Sequence, residues 1–224
     1  MIQNKSLKRR IIEISYKNKL SHLGSCLTAV DIIEEIYQIK KPDEKFVLSS
    51  GHAGLALYVV LEKHDTPKYL GDGVYDFKRL LDAEKVFEHH GVHPDRCEKC
   101  HIDCSTGSLG QGLSIAAGMA LADRSKNVYC LISDGECSEG SVWEALRIIN
   151  DYKIYNIRVF LNYNGFGAYQ KIEKYKLQDR IKGFGTFVYW RDTNVEQLPF
   201  LKGQDAHYKI MSEEDYKEAI RILK

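Results

Sequence analysis

Long apolar runs are absent from this 224-residue chain. No stretch approaches the roughly 18 consecutive apolar residues of a membrane-spanning helix. Residues 1–19 carry charges throughout and have no apolar core of the signal-peptide type. From these two absences we expect a protein without a membrane segment, located in the cytoplasm.

An excess of charge of one sign is absent as well. The chain has 32 basic and 31 acidic residues, which gives a net charge of +1, and the two signs are well mixed. No basic stripe is visible, so nucleic acid and anionic membrane are poor candidates for a partner.

Cysteine is scarce for a disulfide scaffold, with six residues in a chain of this length. Without a secretion signal, the thiols are expected to be reduced. Cys97 and Cys100 form a CxxC pair, and Cys104 follows shortly after. This spacing suits a structural zinc site, but a second CxxC is missing. Zinc on Cys97, Cys100 and Cys104, and unligated reduced thiols, both remain open.

What the sequence does contain is a regular alternation of apolar helices and strands. With 44% hydrophobic residues the chain can bury a large core, and its length suits one domain over residues 1–224. Apolar spacing and turn residues predict helices over 2–19, 29–39, 53–63, 109–124 and 140–152, and strands over 46–49, 128–132 and 157–161. Helices alternate with buried strands from residue 109 onwards, which predicts an α/β fold with a parallel sheet flanked by helices.

Two polar side chains follow two neighbouring strands of this predicted sheet. Asp134 comes directly after the strand that ends near Ile132, and Asn164 follows the strand that ends near Leu161. Ligands of parallel α/β sheets bind at the carboxyl ends of the strands. A carboxylate and an amide oxygen suit Mg²⁺, and Gly135 allows a phosphate to approach the backbone. The pair therefore predicts a site that holds a divalent metal against a diphosphate.

Six segments around this pair resemble the diphosphate-binding domain of the transketolase family. They occur in the family's order over residues 20–168, about two thirds of the chain. The segments are Ser21-His22-Leu23-Gly24, Leu48-Ser49-Ser50-Gly51-His52-Ala53, His93-Pro94, Ser105-Thr106-Gly107-Ser108-Leu109-Gly110-Gln111-Gly112, Asp134-Gly135-Glu136 through Glu139-Gly140-Ser141-Val142-Trp143-Glu144-Ala145, and Asn162-Tyr163-Asn164-Gly165. Residues 169–224 would form a shortened C-terminal part of the same domain.

The resemblance implies a cofactor and a set of site residues. The cofactor is thiamine diphosphate, with Mg²⁺ or Ca²⁺ held by Asp134, Asn164 and the Phe166 carbonyl. The cofactor-binding residues carried over are His52, Gly107, Leu109, Gly135, Glu136 and Asn164. The expected catalytic histidines are His22, His93 and His207, and Glu139 and Glu144 are expected at a subunit interface.

The resemblance also implies a function. Transketolases transfer a two-carbon ketol unit from a ketose to an aldose, and their catalytic glutamate lies in a later domain that this sequence does not contain. We therefore expect the N-terminal subunit of a transketolase-like enzyme acting on a sugar or sugar phosphate. The separate C-terminal subunit would supply the glutamate, in an α2β2 heterotetramer. Two alternatives remain open: a component of a ketoacid decarboxylase or dehydrogenase, and a non-catalytic relic of the fold.

Overall fold

The fold, seen in a computed structural model, alternates helices and parallel strands. The structure describes residues 2–65, 68–71, 74–76, 81–167 and 170–224. Its helices are α1 Lys5–Lys17, α2 Leu23–Ile39, α3 Gly54–His64, α4 Ala83–His90, α5 Gln111–Ala122, α6 Gly140–Asp151, α7 Lys174–Gly183 and α8 Glu213–Ile222. Its strands are β1 Lys45–Leu48, β2 Lys68–Gly71, β3 Val74–Asp76, β4 Val128–Ser133, β5 Ile157–Tyr163 and β6 Val188–Asp192.

The central sheet has four strands in the order β1-β4-β5-β6, and every pair is parallel. Strands β2 and β3 form a separate antiparallel pair. Because all four central strands run the same way, their carboxyl ends lie at one edge of the sheet. The predicted α/β fold with a parallel sheet flanked by helices is confirmed.

The sheet separates two hydrophobic cores. Successive side chains of a strand point to opposite faces. In β4, Tyr129 and Leu131 join the core formed with α1, α2, α3 and α8. Val128, Cys130 and Ile132 join the other core, with α5, α6 and α7. A helix layer therefore covers each face, which explains why β4 is apolar on both sides.

Helix α2 begins six residues earlier than the sequence pattern predicted, at Leu23 rather than at residue 29. The segment from Leu23 to Thr28 is buried, so apolar periodicity gave no signal there. As a result His22 stands at the N-terminus of a helix instead of inside a loop. Among the described residues, no helix is long and apolar enough to cross a membrane.

Candidate functional site

The loop after β4 holds a buried carboxylate in a fixed position. Asp134 is 1% exposed. Its Oδ1 accepts a hydrogen bond from the Gly135 N–H at 3.0 Å, and its Oδ2 accepts from the N–H groups of Asn164 and Gly165 at 3.0 and 2.7 Å. These bonds tie the loop after β4 to the loop after β5. The two polar residues expected at the strand tips are thus brought together.

The Asp134 carboxylate has no cationic partner in the described part of the chain. Burial raises the pKa of Asp134 to about 7, although the Gly165, Asn164 and Gly135 N–H groups oppose this shift. A buried anion with no counter-charge is costly unless it is protonated or meets a cation. The site is therefore electrostatically suited to a bound metal ion.

The loop after β5 presents further oxygen atoms beside Asp134. The Asn164 Oδ1 accepts a hydrogen bond from the Phe166 N–H at 2.9 Å, which closes a tight turn. Asp134, Asn164 and Phe166 all line one cavity of about 130 Å³. A carboxylate, an amide oxygen and a backbone carbonyl are hard ligands of the kind that Mg²⁺ takes.

Three histidines line the same cavity from another side. They are His22 before α2, His52 before α3, and His207 in the 3₁₀ turn Gly203–His207. The His22 backbone is left-handed, with φ of 62°, which is uncommon for a residue other than glycine. Its N–H donates to the His207 carbonyl at 2.6 Å, and its ring lies 5.0 Å from the ring of His52. The strained backbone at this position is held by a contact between distant parts of the chain.

His207 has one satisfied and one unsatisfied ring nitrogen. Its Nδ1 lies 2.8 Å from the Ser25 Oγ, whereas its Nε2 is buried and has no hydrogen-bond partner among the described residues. Buried polar atoms are rarely left unpaired in native proteins. Since His207 lines the cavity, its Nε2 is placed to bond to a ligand there.

Burial keeps these imidazoles neutral over the physiological pH range. Burial lowers the pKa of His52 to about 3 and that of His207 to about 4. Neighbouring histidines, His22 first, add to the shift of His52, and His22 alone adds to that of His207. The pKa of His22 is also lowered, first by burial and then by His93. Neutral imidazoles can donate from one nitrogen and accept at the other.

Most of the residues predicted for the cofactor and metal lie around this cavity. Those that line it are His22, His52, Leu109, Asp134, Gly135, Asn164, Phe166 and His207. Gly107 and His93 do not belong to this lining. A Cβ built at Gly107 would lie 3.4 Å from the His93 Cδ2, so these two residues form a second pair, and the His93 side chain is exposed.

Glu136, predicted to contact the cofactor, is instead fully buried behind the β4 loop. Its Oε1 accepts hydrogen bonds from the Ser49 Oγ at 2.5 Å and the Gly110 N–H at 2.9 Å, and its Oε2 accepts from the Ser133 N–H at 2.9 Å. Its carboxylate therefore links three loops at the carboxyl edge of the sheet. This geometry gives Glu136 a supporting position rather than a contact with the cavity.

The two glutamates predicted at an interface are both exposed, at the start of α6. Glu139 packs on Gly110, where a built Cβ would lie 2.8 Å from the Glu139 Cβ. Glu144 lies one turn further along the helix. Their exposure leaves them accessible to another chain.

The sequence-based prediction missed several residues that line the cavity. Ser25 and Tyr208 are the clearest cases. Ser25 lies three residues after His22, so the two share a helix face once α2 is known to begin at Leu23. That signal was present in the sequence but depended on the helix boundary. Tyr208 directly follows His207 in the sequence, but no motif around it indicated a role in the site.

Comparison with known proteins identifies the family. Residues 12–197 match the family model described as "Transketolase, thiamine diphosphate binding domain". The chain belongs to this transketolase family. The resemblance inferred from the six segments is thereby confirmed.

Two relatives are themselves named as subunits. The chain is 31% identical over 203 residues to one subunit of the apulose-4-phosphate transketolase of Phocaeicola vulgatus, covering 82% of this chain and 69% of the relative. It is 30% identical over 200 residues to a 6-deoxy-6-sulfo-D-fructose transketolase subunit of a Clostridium species, covering 81% and 70%. These relatives are transketolases, which are transferases, so the predicted class of enzyme is supported.

Longer transketolases match over only part of their length. Human transketolase is 34% identical over 208 residues, which are 83% of this chain and 32% of the human protein. The solved transketolase of Campylobacter jejuni has a TM-score of 0.72 at 19% identity and covers 99% of this chain and 42% of its own. The chain thus spans about a third of the human enzyme, and the structural likeness supports the fold.

Proposed function

We propose that this chain is the diphosphate-binding subunit of a transketolase-like enzyme that moves a two-carbon ketol unit from a ketose to an aldose. The observation that carries the proposal is the buried Asp134 carboxylate, which lacks a cationic partner among the described residues and lines a cavity with three neutral histidines. The family to which the chain belongs binds thiamine diphosphate in this domain.

In this proposal, Asp134, the Asn164 side chain and the Phe166 carbonyl hold Mg²⁺ or Ca²⁺. Gly135 would face the diphosphate, because a Cβ built there meets no described atom closer than 3.5 Å and a phosphate could approach the backbone. The donor set fits the ion. The oxygens are hard ligands, and the ion would supply the positive charge that Asp134 otherwise lacks.

The histidines would transfer protons and form hydrogen bonds to hydroxyl groups of the sugar. Bound thiamine diphosphate supplies a carbon nucleophile and an electron sink for cleavage of the carbon–carbon bond next to the carbonyl. His207 would donate from or accept at its unpaired Nε2, while Ser25 fixes its ring through Nδ1. His22 and His52 would bond to the phosphate or to the substrate, and His93 would act from the neighbouring loop.

The cavity on this chain is too small to enclose the whole cofactor. Its volume is about 130 Å³, whereas pockets for cofactors and drug-sized ligands have about 300–1,000 Å³. The chain therefore offers a surface for the diphosphate and the metal, and a second protein surface would complete the site.

We assign that second surface to a separate subunit that carries the catalytic glutamate, in an α2β2 heterotetramer. Two relatives that the chain matches over 69% and 70% of their length are named as transketolase subunits. Exposed Glu139 and Glu144 at the start of α6 would lie at this interface. The donor would be a sugar or sugar phosphate.

Reconstitution tests the proposal directly. The chain would be mixed with the candidate partner subunit, thiamine diphosphate and Mg²⁺, and ketol transfer would be followed with phosphorylated and unphosphorylated ketoses. We expect transfer that requires both subunits and the cofactor. The Asp134→Asn variant should form the complex but lose activity.

Separate binding measurements keep the outcomes distinct. Calorimetry with thiamine diphosphate and Mg²⁺ should show binding to the complex of wild-type subunits. Binding without ketol transfer would point to another thiamine-dependent reaction, and a complex that binds no cofactor would identify a relic of the fold. Either result would overturn the proposed activity.

A further inference from the structure

A cluster of metal-binding side chains lies outside the cavity described above. The ligand atoms of His90, Cys97 and Cys100 all lie within 4.8 Å of one another, and each of the three residues is partly buried. His90 is the last residue of α4, and the two cysteines belong to the following hairpin. The cluster therefore joins a helix end to a loop.

The distance between His90 and Cys100 in the cluster matches that in a tetrahedral zinc site. Bond lengths near 2.3 Å to sulfur and 2.0–2.1 Å to nitrogen place neighbouring ligand atoms about 3.6 Å apart at a tetrahedral angle. The His90 Nε2 lies 3.5 Å from the Cys100 Sγ. Thiolate and imidazole are the ligands that structural zinc sites most often use.

The backbone around the cysteines forms a tight turn of the kind that directs two sulfurs to one side. Cys97 and Ile102 exchange two backbone hydrogen bonds of 2.9 Å. His101, which directly follows Cys100, has a left-handed backbone with φ of 55°. Its Nε2 lies 3.8 Å from the Asp65 Oδ1, so its side chain has a different neighbour from the cluster.

Cys104, expected from the sequence to be the third sulfur, has a different environment. It is buried in the core that contains α5 and α6, and its Sγ lies 3.3 Å from the Ser105 carbonyl oxygen. The reason is the hairpin itself, which places Cys97 beside Ile102, after which Asp103 and Thr106 bond to Phe46 and Leu48 of β1. The side chain that joins Cys97 and Cys100 in the structure is His90, which no CxxC spacing indicates.

We propose that His90, Cys97 and Cys100 bind a structural Zn²⁺ ion that fastens the hairpin of residues 91–107 to the end of α4. Two thiolates neutralise the charge of the ion, and the imidazole supplies the third of four positions. None of the three ligands lines the cavity that contains Asp134, so zinc binding can be measured whether or not the proposed catalytic function holds.

The ion would position residues at the base of the hairpin. The Arg96 N–H donates to the Ser105 Oγ at 2.8 Å, and the Thr106 N–H donates to the Pro94 carbonyl at 3.0 Å. These bonds hold the two arms together between the cysteine turn and the pair formed by His93 and Gly107. Zinc at the tip would restrain both arms, so His90, Cys97 and Cys100 are positioning residues for His93.

Metal analysis of the full chain tests the proposal. Protein expressed with zinc and purified without chelator should contain about one zinc ion per chain, since such sites bind tightly at neutral pH. Under reducing conditions, the metal-free chain should bind Co²⁺ with a thiolate charge-transfer band and the intense visible absorption of a tetrahedral site. We expect Cys97→Ser and His90→Ala to lose most of the metal.

Two matched variants serve as controls. His101→Asn removes a neighbouring histidine and keeps a residue that tolerates a left-handed backbone, and Cys104→Ala removes the third thiol of the segment. Both should retain the metal. His90→Cys, which substitutes one zinc ligand for another, should also retain it even if His90→Ala folds poorly.

Hydrogen exchange of the wild-type chain gives a readout that does not depend on activity. Removal of zinc should increase the exchange of amides in residues 91–107 and leave β4 and β5 unchanged. A wild-type chain without zinc that also fails to bind Co²⁺ tetrahedrally would overturn the proposal. So would equal metal content in His90→Ala, Cys97→Ser and the controls, or recovery of Cys97 and Cys100 only as a metal-free disulfide.

Discussion

The two edges of the central sheet differ in how their charged groups are satisfied. At the carboxyl edge, a cavity of about 130 Å³ contains the Asp134 carboxylate and the His207 Nε2, which lack a cation and a hydrogen-bond partner among the described residues. At the amino edge, a cavity of about 950 Å³ is lined by charged side chains that include two ion pairs. Lys45 pairs with Asp103 at 2.7 Å, and Lys126 pairs with Asp43 at 3.3 Å.

We infer from this difference that a buried group without a counter-charge or a hydrogen-bond partner is a better indication of a binding site than cavity volume is. The larger cavity offers more space, but two of its lysines already pair with carboxylates. Its buried Glu44 carboxylate accepts hydrogen bonds from the Lys41 N–H and the Asn127 amide. In the described part of the chain, the smaller cavity holds a buried carboxylate without a counter-cation and a buried imidazole nitrogen without a hydrogen-bond partner. A ligand would stabilise the carboxyl edge far more than the amino edge.

The largest effect is expected from removing the Asp134 charge. Loss of one partner from a buried charge pair costs about 3–5 kcal/mol, so Asp134→Asn should weaken binding of thiamine diphosphate with Mg²⁺ by roughly 1,000-fold. The control is Asp43→Asn, which removes a carboxylate that lines the larger cavity. Calorimetry on the complex with the partner subunit would measure both. Equal affinities for the two variants would remove the distinction between the edges.

The next effect is a loss of folding stability at acidic pH that depends on His207. The pKa of His207 is lowered by burial to about 4 in the folded chain, against about 6.5 in an unfolded one. Below about pH 6.5 the unfolded chain binds this proton first, so stability falls as the pH decreases towards 4. The wild type should lose roughly 3 kcal/mol more than His207→Asn between pH 7 and 4. Urea denaturation at several pH values checks this, and parallel pH curves would contradict it.

A smaller effect is expected from a substitution in α5 that crowds Ser49, because Ser49 holds Glu136 at the carboxyl edge of the sheet. A Cβ built at Gly112 in α5 lies 2.6 Å from the Cα and Oγ of Ser49, the residue that donates to Glu136. Gly112→Ala should therefore destabilise the chain by about 1–3 kcal/mol. Gly118 lies in the same helix, and no atom of the described residues comes within 4 Å of its built Cβ.

Gly118→Ala is accordingly the control for Gly112→Ala, and it should stabilise the chain by about 0.5–1 kcal/mol because alanine loses less backbone entropy in a helix. Thermal denaturation of both variants gives the comparison. Shifts of the same sign and size would show that helix propensity, and not the contact with Ser49, controls the result.

The smallest effect is expected at the amino edge. The side chains of Lys126 and Asp43 are 46% and 60% exposed, and exposed ion pairs contribute about 0–1 kcal/mol. Lys126→Gln should therefore change the free energy of unfolding by less than about 0.5 kcal/mol, in urea titrations at low and moderate salt. A loss of several kcal/mol would show that the paired charges of the larger cavity are important for stability.

Local patterns predicted much of the fold and of the site. Apolar residues on both faces of residues 128–132 indicated a buried parallel strand, and β4 is that strand. Polar residues directly after two such strands indicated a shared edge, and hydrogen bonds from the Asn164 and Gly165 N–H groups join the two loops through Asp134. Both inferences depend on the period of the strand and on the chain direction in a parallel sheet.

Contacts between distant segments could not be predicted in this way. The left-handed backbone of His22 is set by its bond to the His207 carbonyl, across 185 residues of chain. Glu136 follows Asp134 by two residues, yet its carboxylate turns away to bond to Ser49 and Gly110. In the cysteine segment, His90 rather than Cys104 lies beside Cys97 and Cys100, because α4 and the hairpin meet in space.

The sequence by itself determined the α/β class, the edge of the sheet where the site lies, and the family, because these follow from local periodicity and from short motifs in order. Only the tertiary structure decided which of the motif residues line one cavity and which support it. The direction of a side chain depends on the partners that packing brings to it. For the same reason, only the folded chain showed that, among the described residues, the buried Asp134 carboxylate lacks a counter-cation and the His207 Nε2 lacks a hydrogen-bond partner at one edge, while Lys45 and Lys126 form ion pairs at the other.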